Sequence, residues 1–216
     1  MDYTKAVKKT RKDSVLLYNI LKIVIVGICL LTTLTMFLPL FNIYGTFTNG
    51  FIELMKVAFP DFDFSKVTGL AITASGYEFA FGVNEVSLSQ PYRLVMDGFL
   101  IFCYLLPLGI GLLLIPCKKL DSNKTITLIK YCVLGVLMIT FGVLFLVYIN
   151  GATESFRNML VGSSTEYGFA IYASAEIEKA TLPMLFQLLY IFGGFLCLFL
   201  ATNTNKLIQK NKKGGN

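Results

Sequence analysis

A chain of 216 residues that is 55% hydrophobic and 15% charged, with mean hydropathy +0.68, lies outside the composition of soluble domains, in which about a quarter of residues are charged. That excludes an ordinary water-soluble enzyme or binding domain and makes lipid the solvent of most of the chain. The net charge of +6 does not indicate nucleic acid, because the basic residues lie in short pieces beside apolar runs and neither an RNA-binding aromatic pattern nor zinc-finger spacing is present.

Residues 1–22 form a basic arm carrying Lys5, Lys8, Lys9, Arg11, Lys12 and Lys22. With Tyr3, Ala6 and Val7 it suits either an interfacial helix on anionic headgroups or a disordered tail. Residues 23–41 (IVIVGICLLTTLTMFLPLF) contain no charge and at 1.5 Å per residue are long enough to cross a hydrocarbon core about 30 Å thick. This first span is expected to be retained, since it is too long for the core of a signal peptide and no small-x-small cleavage site follows it.

Residues 42–93 make a large loop. Asn49 or Gly50 is expected to open a short helix through Phe51, Leu54, Met55, Val57 and Ala58 that stops before Pro60, with Glu53 and Lys56 on its wet side. Thr68–Val83 reads as a β-hairpin turning at Ser75-Gly76, with Tyr77, Phe79 and Phe81 alternating onto one face. Such a hairpin needs a further strand for stability.

The second span, 94–115, holds one early acid, Asp97, and a Pro107 that is expected to kink it beside Gly109 and Gly111. A basic loop, 116–130, leads to the third span, 131–149. The second large loop, 150–181, repeats the aromatic alternation in Glu166–Ala173, with Tyr167, Phe169 and Ile171 on one face. Its EYGFAIY aligns with GYEFAFG of the first loop at three of seven positions, so a third strand completing a small sheet is expected. The fourth span, 182–201, precedes a basic tail, 202–216.

Basic residues at span ends set orientation. The arm, the 116–130 loop and the tail hold fourteen Lys and Arg against three acids, and the two large loops hold five against ten, counting Asp97 at the outer end of the second span. Both termini are therefore expected in the cytoplasm and both large loops outside. Lys5, Lys8, Lys9, Arg11, Lys12, Lys118, Lys119, Lys210, Lys212 and Lys213 are the expected contacts to anionic headgroups, at about 1 kcal/mol each. Cys29, Cys103, Cys132 and Cys197 fall within spans and Cys117 at a cytoplasmic edge, so no outer disulfide can form. The sequon Asn123-Lys124-Thr125 lies on the cytoplasmic side. With sixteen Lys against three Arg, these features point to the plasma membrane of a bacterium with an AT-rich genome.

The expected fold is therefore a membrane all-α core, a four-transmembrane-helix bundle, with a small extracellular β-containing cap. This layout of inner termini, a large first outer loop with strands and a shorter second loop resembles that of claudins and related four-span proteins. The resemblance covers topology alone, for the Gly-Leu-Trp stretch and paired outer cysteines of that family are absent here.

The chain has no histidine, which removes the commonest general base and metal ligand. No P-loop, dinucleotide fingerprint or His-Glu-x-x-His occurs. Glu53, Asp61 and Asp63 lack the spacing of a calcium loop and read as solvated acids. Asp97, Gln187, Thr32, Thr33, Thr35 and Thr140 are the polar residues that a transport path would use, although such groups more often bond within and between helices. Small residues mark packing faces: Gly193, Cys197 and Ala201 on the fourth span, Cys103, Pro107 and Gly111 on the second, Gly135 and Gly142 on the third.

The expectation is a non-enzymatic accessory or assembly subunit of a larger bacterial envelope complex, without cofactor, contacting another membrane or envelope protein or itself. The alternatives are an oligomeric channel or small-solute transporter subunit, and an immunity or sensor protein that binds a secreted peptide.

Overall fold

The structure is a computed structural model and describes residues 3–61, 69–83, 94–115, 124–162 and 172–213. Helix α1 (Tyr3–Leu34) ends in a 3-10 turn (Thr35–Phe37), followed by strand β1 (Pro39–Phe47) and helix α2 (Asn49–Ala58). Strand β2 (Gly69–Ser75) runs into the short helix α3 (Gly76–Phe81). Helices α4 (Gly98–Leu114) and α5 (Lys124–Gly162), strand β3 (Tyr172–Lys179) and helix α6 (Thr181–Lys213) complete the order.

Among the described residues three helices are long and apolar enough to cross a membrane, over Leu16–Phe37, Thr125–Val161 and Thr181–Asn203. The apolar α4 is shorter, at 17 residues. Helix continues beyond the apolar stretches: α1 begins inside the basic arm, α5 runs on to Gly162 and α6 reaches into the tail. The basic arm is thus helical from Tyr3 and continuous with the first apolar run.

The chain divides into two compact units. The helical unit comprises Met1–Leu34, Cys103–Leu144 and Phe186–Asn216. The three long helices and the shorter α4 all contribute to its core: Ile25 and Cys29 from α1, Ile110 and Leu114 from α4, Leu134 and Met138 from α5, Cys197 and Leu200 from α6. The residues turned away, such as Leu30, Leu112, Val136 and Phe195, are equally apolar and exposed, an outer surface compatible with a membrane.

The sheet unit comprises Thr35–Phe102 and Phe145–Leu185. Its three strands are antiparallel in the order β2-β1-β3, so β1 is central. Pro39 opens β1, a position where the missing N–H costs no central ladder bond. Ile43 lies opposite both Ile72 and Ile177, and all three are buried on one face.

Two expectations are corrected here. Residues 76–81 are helix, not the return strand of a hairpin. Ser75 caps α3 by accepting a bond from the Glu78 amide at 3.2 Å, while the Glu78 carboxylate accepts from the Ser75 amide at 2.5 Å. This reciprocal capping box satisfies amides that a turn would leave to solvent. The place of the return strand is taken by β1, which the expected first span absorbed in part; β3 runs Tyr172–Lys179, and residues 166–171 of the strand expected in the second loop lie outside the described residues. The short helix was expected where it is found: Thr48 caps α2, with the Phe51 amide 3.3 Å from its hydroxyl, and Glu53 and Lys56 are exposed.

Candidate functional site

The sheet unit contains an open groove of about 450 Å³. Phe79 of α3, Leu94, Val95 and Asp97 of the chain entering α4, and one side of α5 from Val147 to Met159 form its walls. Most of the lining is apolar. Its floor belongs to an aromatic cluster in which Phe41, Phe79 and Phe156 meet with ring centroids 4.9, 4.7 and 6.0 Å apart. Such rings add roughly 0.5–1.5 kcal/mol per pair beyond the area they bury.

Asp97, the one acid among the described residues that line the groove, is committed to the fold. Its Oδ1 accepts from the amides of Phe99 and Leu100 at 2.9 and 3.1 Å, which caps α4. Its Oδ2 accepts from the hydroxyl of Tyr148 on α5, and its own amide donates to the Ala80 carbonyl at 2.9 Å. A carboxylate there also sits at the favourable end of the helix dipole. Asp97→Ala is expected to lower stability by about 1–2 kcal/mol, as for other lost N-caps, whereas Asp97→Asn keeps an acceptor and most of that contribution. Thermal unfolding of both variants checks this; equal losses would contradict the capping role.

Other polar groups of the unit are similarly engaged. Arg157 Nε donates to the Ala175 carbonyl of β3 at 3.1 Å, and Lys179 Nζ donates to Asn150 Oδ1. Thr46 and Ser174 share a hydroxyl bond of 2.7 Å across β1 and β3. Tyr172 is fully buried, stacks on Phe47 at 5.5 Å and covers Gly45. Burial pushes its hydroxyl pKa up to about 12.

Of the residues expected to form one aromatic surface, Tyr77 and Phe81 lie together on the exposed side of α3, 4.8 Å apart. Phe79 faces the opposite way, into the core, because helical and not strand periodicity governs the segment. Tyr167, Phe169 and Ile171 lie outside the described residues, as do Lys118 and Lys119. Lys5, Lys8, Lys9, Arg11 and Lys12 fall along α1, and Lys210, Lys212 and Lys213 along α6.

In the helical unit the small-residue positions all fall on buried faces. Gly193, Cys197 and Ala201 are buried, as are Cys103, Pro107 and Gly111. Gly111 lies against Cys29, a Cβ built on it reaching the Cys29 Cβ at 3.3 Å. Gly135 and Gly142 of α5 meet α6, and Gly135 does so backbone to backbone with Gly194, a residue the spacing did not select. The Cys197 thiol donates to Met138 Sδ at 3.8 Å.

Two polar residues stand out within this apolar packing. Lys22 is buried, its Nζ 4.6 Å from the ring centre of Tyr18 and 5.6 Å from that of Tyr131, where the ring faces offset part of the loss of water. Gln187 is buried with no hydrogen-bond partner for its Nε2 among the described residues. Thr32 and Thr33 return their hydroxyls to the carbonyls four residues earlier, at 2.8 and 3.1 Å. Among the described residues no cluster of acids or thiols is placed to hold a metal ion.

Comparison with protein-family models, with curated proteins and with solved structures finds no match for this chain.

Proposed function

We propose that the protein is a four-span bacterial plasma-membrane protein that works without catalysis, as an accessory or assembly subunit whose outward-facing sheet unit contacts another envelope protein. The observation that carries this reading is the groove along α5. It is open and mostly apolar, and of the polar side chains in its lining Asp97 and Tyr148 bond to each other while Asp97 also caps α4. A surface of that kind offers shape and apolar area to a partner in place of reactive groups. A secreted peptide, the ligand of a sensor or immunity protein, would use the same groove.

The fourth span in this proposal is α4. Its 17 residues rise about 25 Å, and local thinning of the bilayer accommodates the shortfall at fractions of a kcal/mol per Å. Four crossings place both termini on one side, and the fourteen-to-five division of basic residues assigns that side to the cytoplasm.

Cys117 supplies a native probe, because it lies in the short basic loop between α4 and α5. A membrane-impermeant maleimide applied to intact cells is expected to leave it unlabelled until the cells are permeabilised. Labelling from outside would overturn the orientation. Purification in mild detergent is then expected to retain a stoichiometric partner protein. A pure homo-oligomer that passes ions or solutes in liposomes would instead favour the channel or carrier reading, for which Gln187 is the group to mutate, since an unpartnered buried amide is a costly thing to retain.

A further inference from the structure

We propose that α3 is an interfacial anchor, its exposed face of Phe37, Tyr77 and Phe81, continued by Val95 and Met96, resting in the headgroup layer of the bilayer. The inference rests on the membrane reading above and adds a lipid contact to it.

Phe37 is the last residue of the 22-residue apolar stretch that begins at Leu16. At 1.5 Å per residue that stretch covers about 33 Å, so a bilayer with a core near 30 Å has its hydrocarbon boundary at Phe37. The ring of Tyr77 stacks on Phe37 with centroids 6.1 Å apart and planes at 17°, and Phe81 follows at 4.8 Å. Each step is within the roughly 5–7 Å thickness of one headgroup layer. Tyr77 therefore lies within one headgroup layer of the depth at which the apolar stretch ends, and Phe81 lies beside it.

The other side of α3 is fixed to the start of a second apolar helix. The Asp97 amide bonds to the Ala80 carbonyl, and Gly82, at φ +83°, packs against Leu94 and Met96 so closely that a Cβ there would lie 2.7 Å from a carbonyl oxygen. Val95 and Met96, immediately before α4, are 86% and 64% exposed; Phe37, Tyr77 and Phe81 are 59%, 46% and 40% exposed. Five large apolar or aromatic side chains thus face outward where one apolar helix ends and another begins. The single charge on α3, Glu78, is drawn into the capping box with Ser75, which leaves the face uncharged. Aromatic rings concentrate at this depth in membrane proteins because an apolar body and a polar edge suit the headgroup layer.

The chain contains no tryptophan, so Tyr77→Trp and Phe81→Trp each give a single-indole reporter. Each is reconstituted into phosphatidylcholine–phosphatidylglycerol vesicles carrying a spin label either on the headgroup or deep in the chain. Phe192→Trp, at an exposed position of α6, serves as the depth control. The expected result is that the headgroup label quenches both α3 reporters by about half or more, with little quenching by aqueous iodide, as for an aromatic belt. Strong iodide quenching without lipid quenching would place the face in water and overturn the anchor. Protection from both iodide and lipid labels would show a protein, a second copy or a partner, on this face and would equally overturn it. In either case Phe192→Trp quenched by the chain-deep label leaves the membrane reading intact; if that control is not quenched, both fail together.

Discussion

Gly45→Val is expected to unfold the sheet unit, and the same substitution is expected to be tolerated far better once Tyr172 is cut back to alanine. A bulge between Thr46 and Phe47 pairs Phe47 with Tyr172, and the Tyr172 ring lies across the central strand over Gly45. A Cβ on Gly45 would fall 2.2 and 2.5 Å from two ring carbons. The ring is fully buried and stacked on Phe47, so it has no free direction in which to swing. Overpacking of this kind costs about 1–3 kcal/mol and more where nothing yields. Tyr172→Ala alone is expected to cost about 3–5 kcal/mol, as for other large buried aromatics. The double variant is expected to be more stable than the sum of the two losses by roughly 0.5–3 kcal/mol, because the vacated ring makes room for the valine. Trypsin reads the outcome, since Lys56, Arg157 and Lys179 are exposed points of this unit; additive losses would contradict the proposed contact. The same ring predicts a pH dependence. Its hydroxyl holds its proton up to about pH 12 in the fold but only to about 10 when unfolded. Below pH 10 both states are protonated and stability is unaffected. Between pH 10 and 12 only the unfolded state loses the proton, so stability falls with rising pH, and Tyr172→Phe is expected to remove that fall.

How much of this was legible in the sequence differs from element to element. The three long apolar helices follow from uncharged runs that no soluble fold would carry. Strand β1 was hidden because Pro39–Phe41 continues the apolar run of α1 without a break in composition; a buried strand and a membrane helix share the same residues there. The capping box was written out as Ser75-x-x-Glu78, yet Tyr77, Phe79 and Phe81 also satisfy a two-residue alternation. Six residues are too few for periodicity to choose between helix and strand, and the cap decides it. In β3 the alternation of Ala175 and Ile177 with Glu176 and Glu178 is a strand signal, weaker in aromatic content than the residues upstream. Asp97 was visible as the odd acid of an apolar run, but its role as the cap of α4 depends on where that helix starts. Tyr148, which meets it from 51 positions away, had no local signal. The groove could not be read at all, since Phe79, Leu94 and Phe156 come together only in the fold.

The small-residue stripes show how spacing and contact diverge, and they lead to the second large effect. Gly135→Ala or Gly194→Ala is expected to loosen the helical unit by about 1–3 kcal/mol, which for a protein of this size is a fall of roughly 2–12 °C in Tm. A Cβ on Gly135 would lie 2.8 Å from the Gly194 carbonyl oxygen, and a Cβ on Gly194 would lie 2.8 Å from that of Gly135. Backbone oxygens cannot rotate away, so α5 and α6 would have to separate. Separation would also draw Gly142 from Ile191, which a Cβ there would meet at 2.5 Å. In lipid there is little hydrophobic drive to restore that contact, and close backbone approach supplies the attraction itself. Gly193, chosen by its four-residue repeat, meets only the terminal methyl of Met138 within 3 Å, a flexible end that can move, so Gly193→Ala is expected to be mild. Gly27 and Gly109 have open space where a Cβ would go, and Gly27→Ala and Gly109→Ala are expected to stabilise by up to about 1 kcal/mol through helix propensity. A thiol-reactive fluorogenic dye, applied after the accessible thiols have been blocked in the folded protein, reads all five variants, because Cys29, Cys103 and Cys197 are buried and become reactive on unfolding. Equal shifts across the set would reduce the result to a general glycine effect. A change in oligomeric state with unaltered unfolding would assign Gly135 and Gly194 to an interface between molecules.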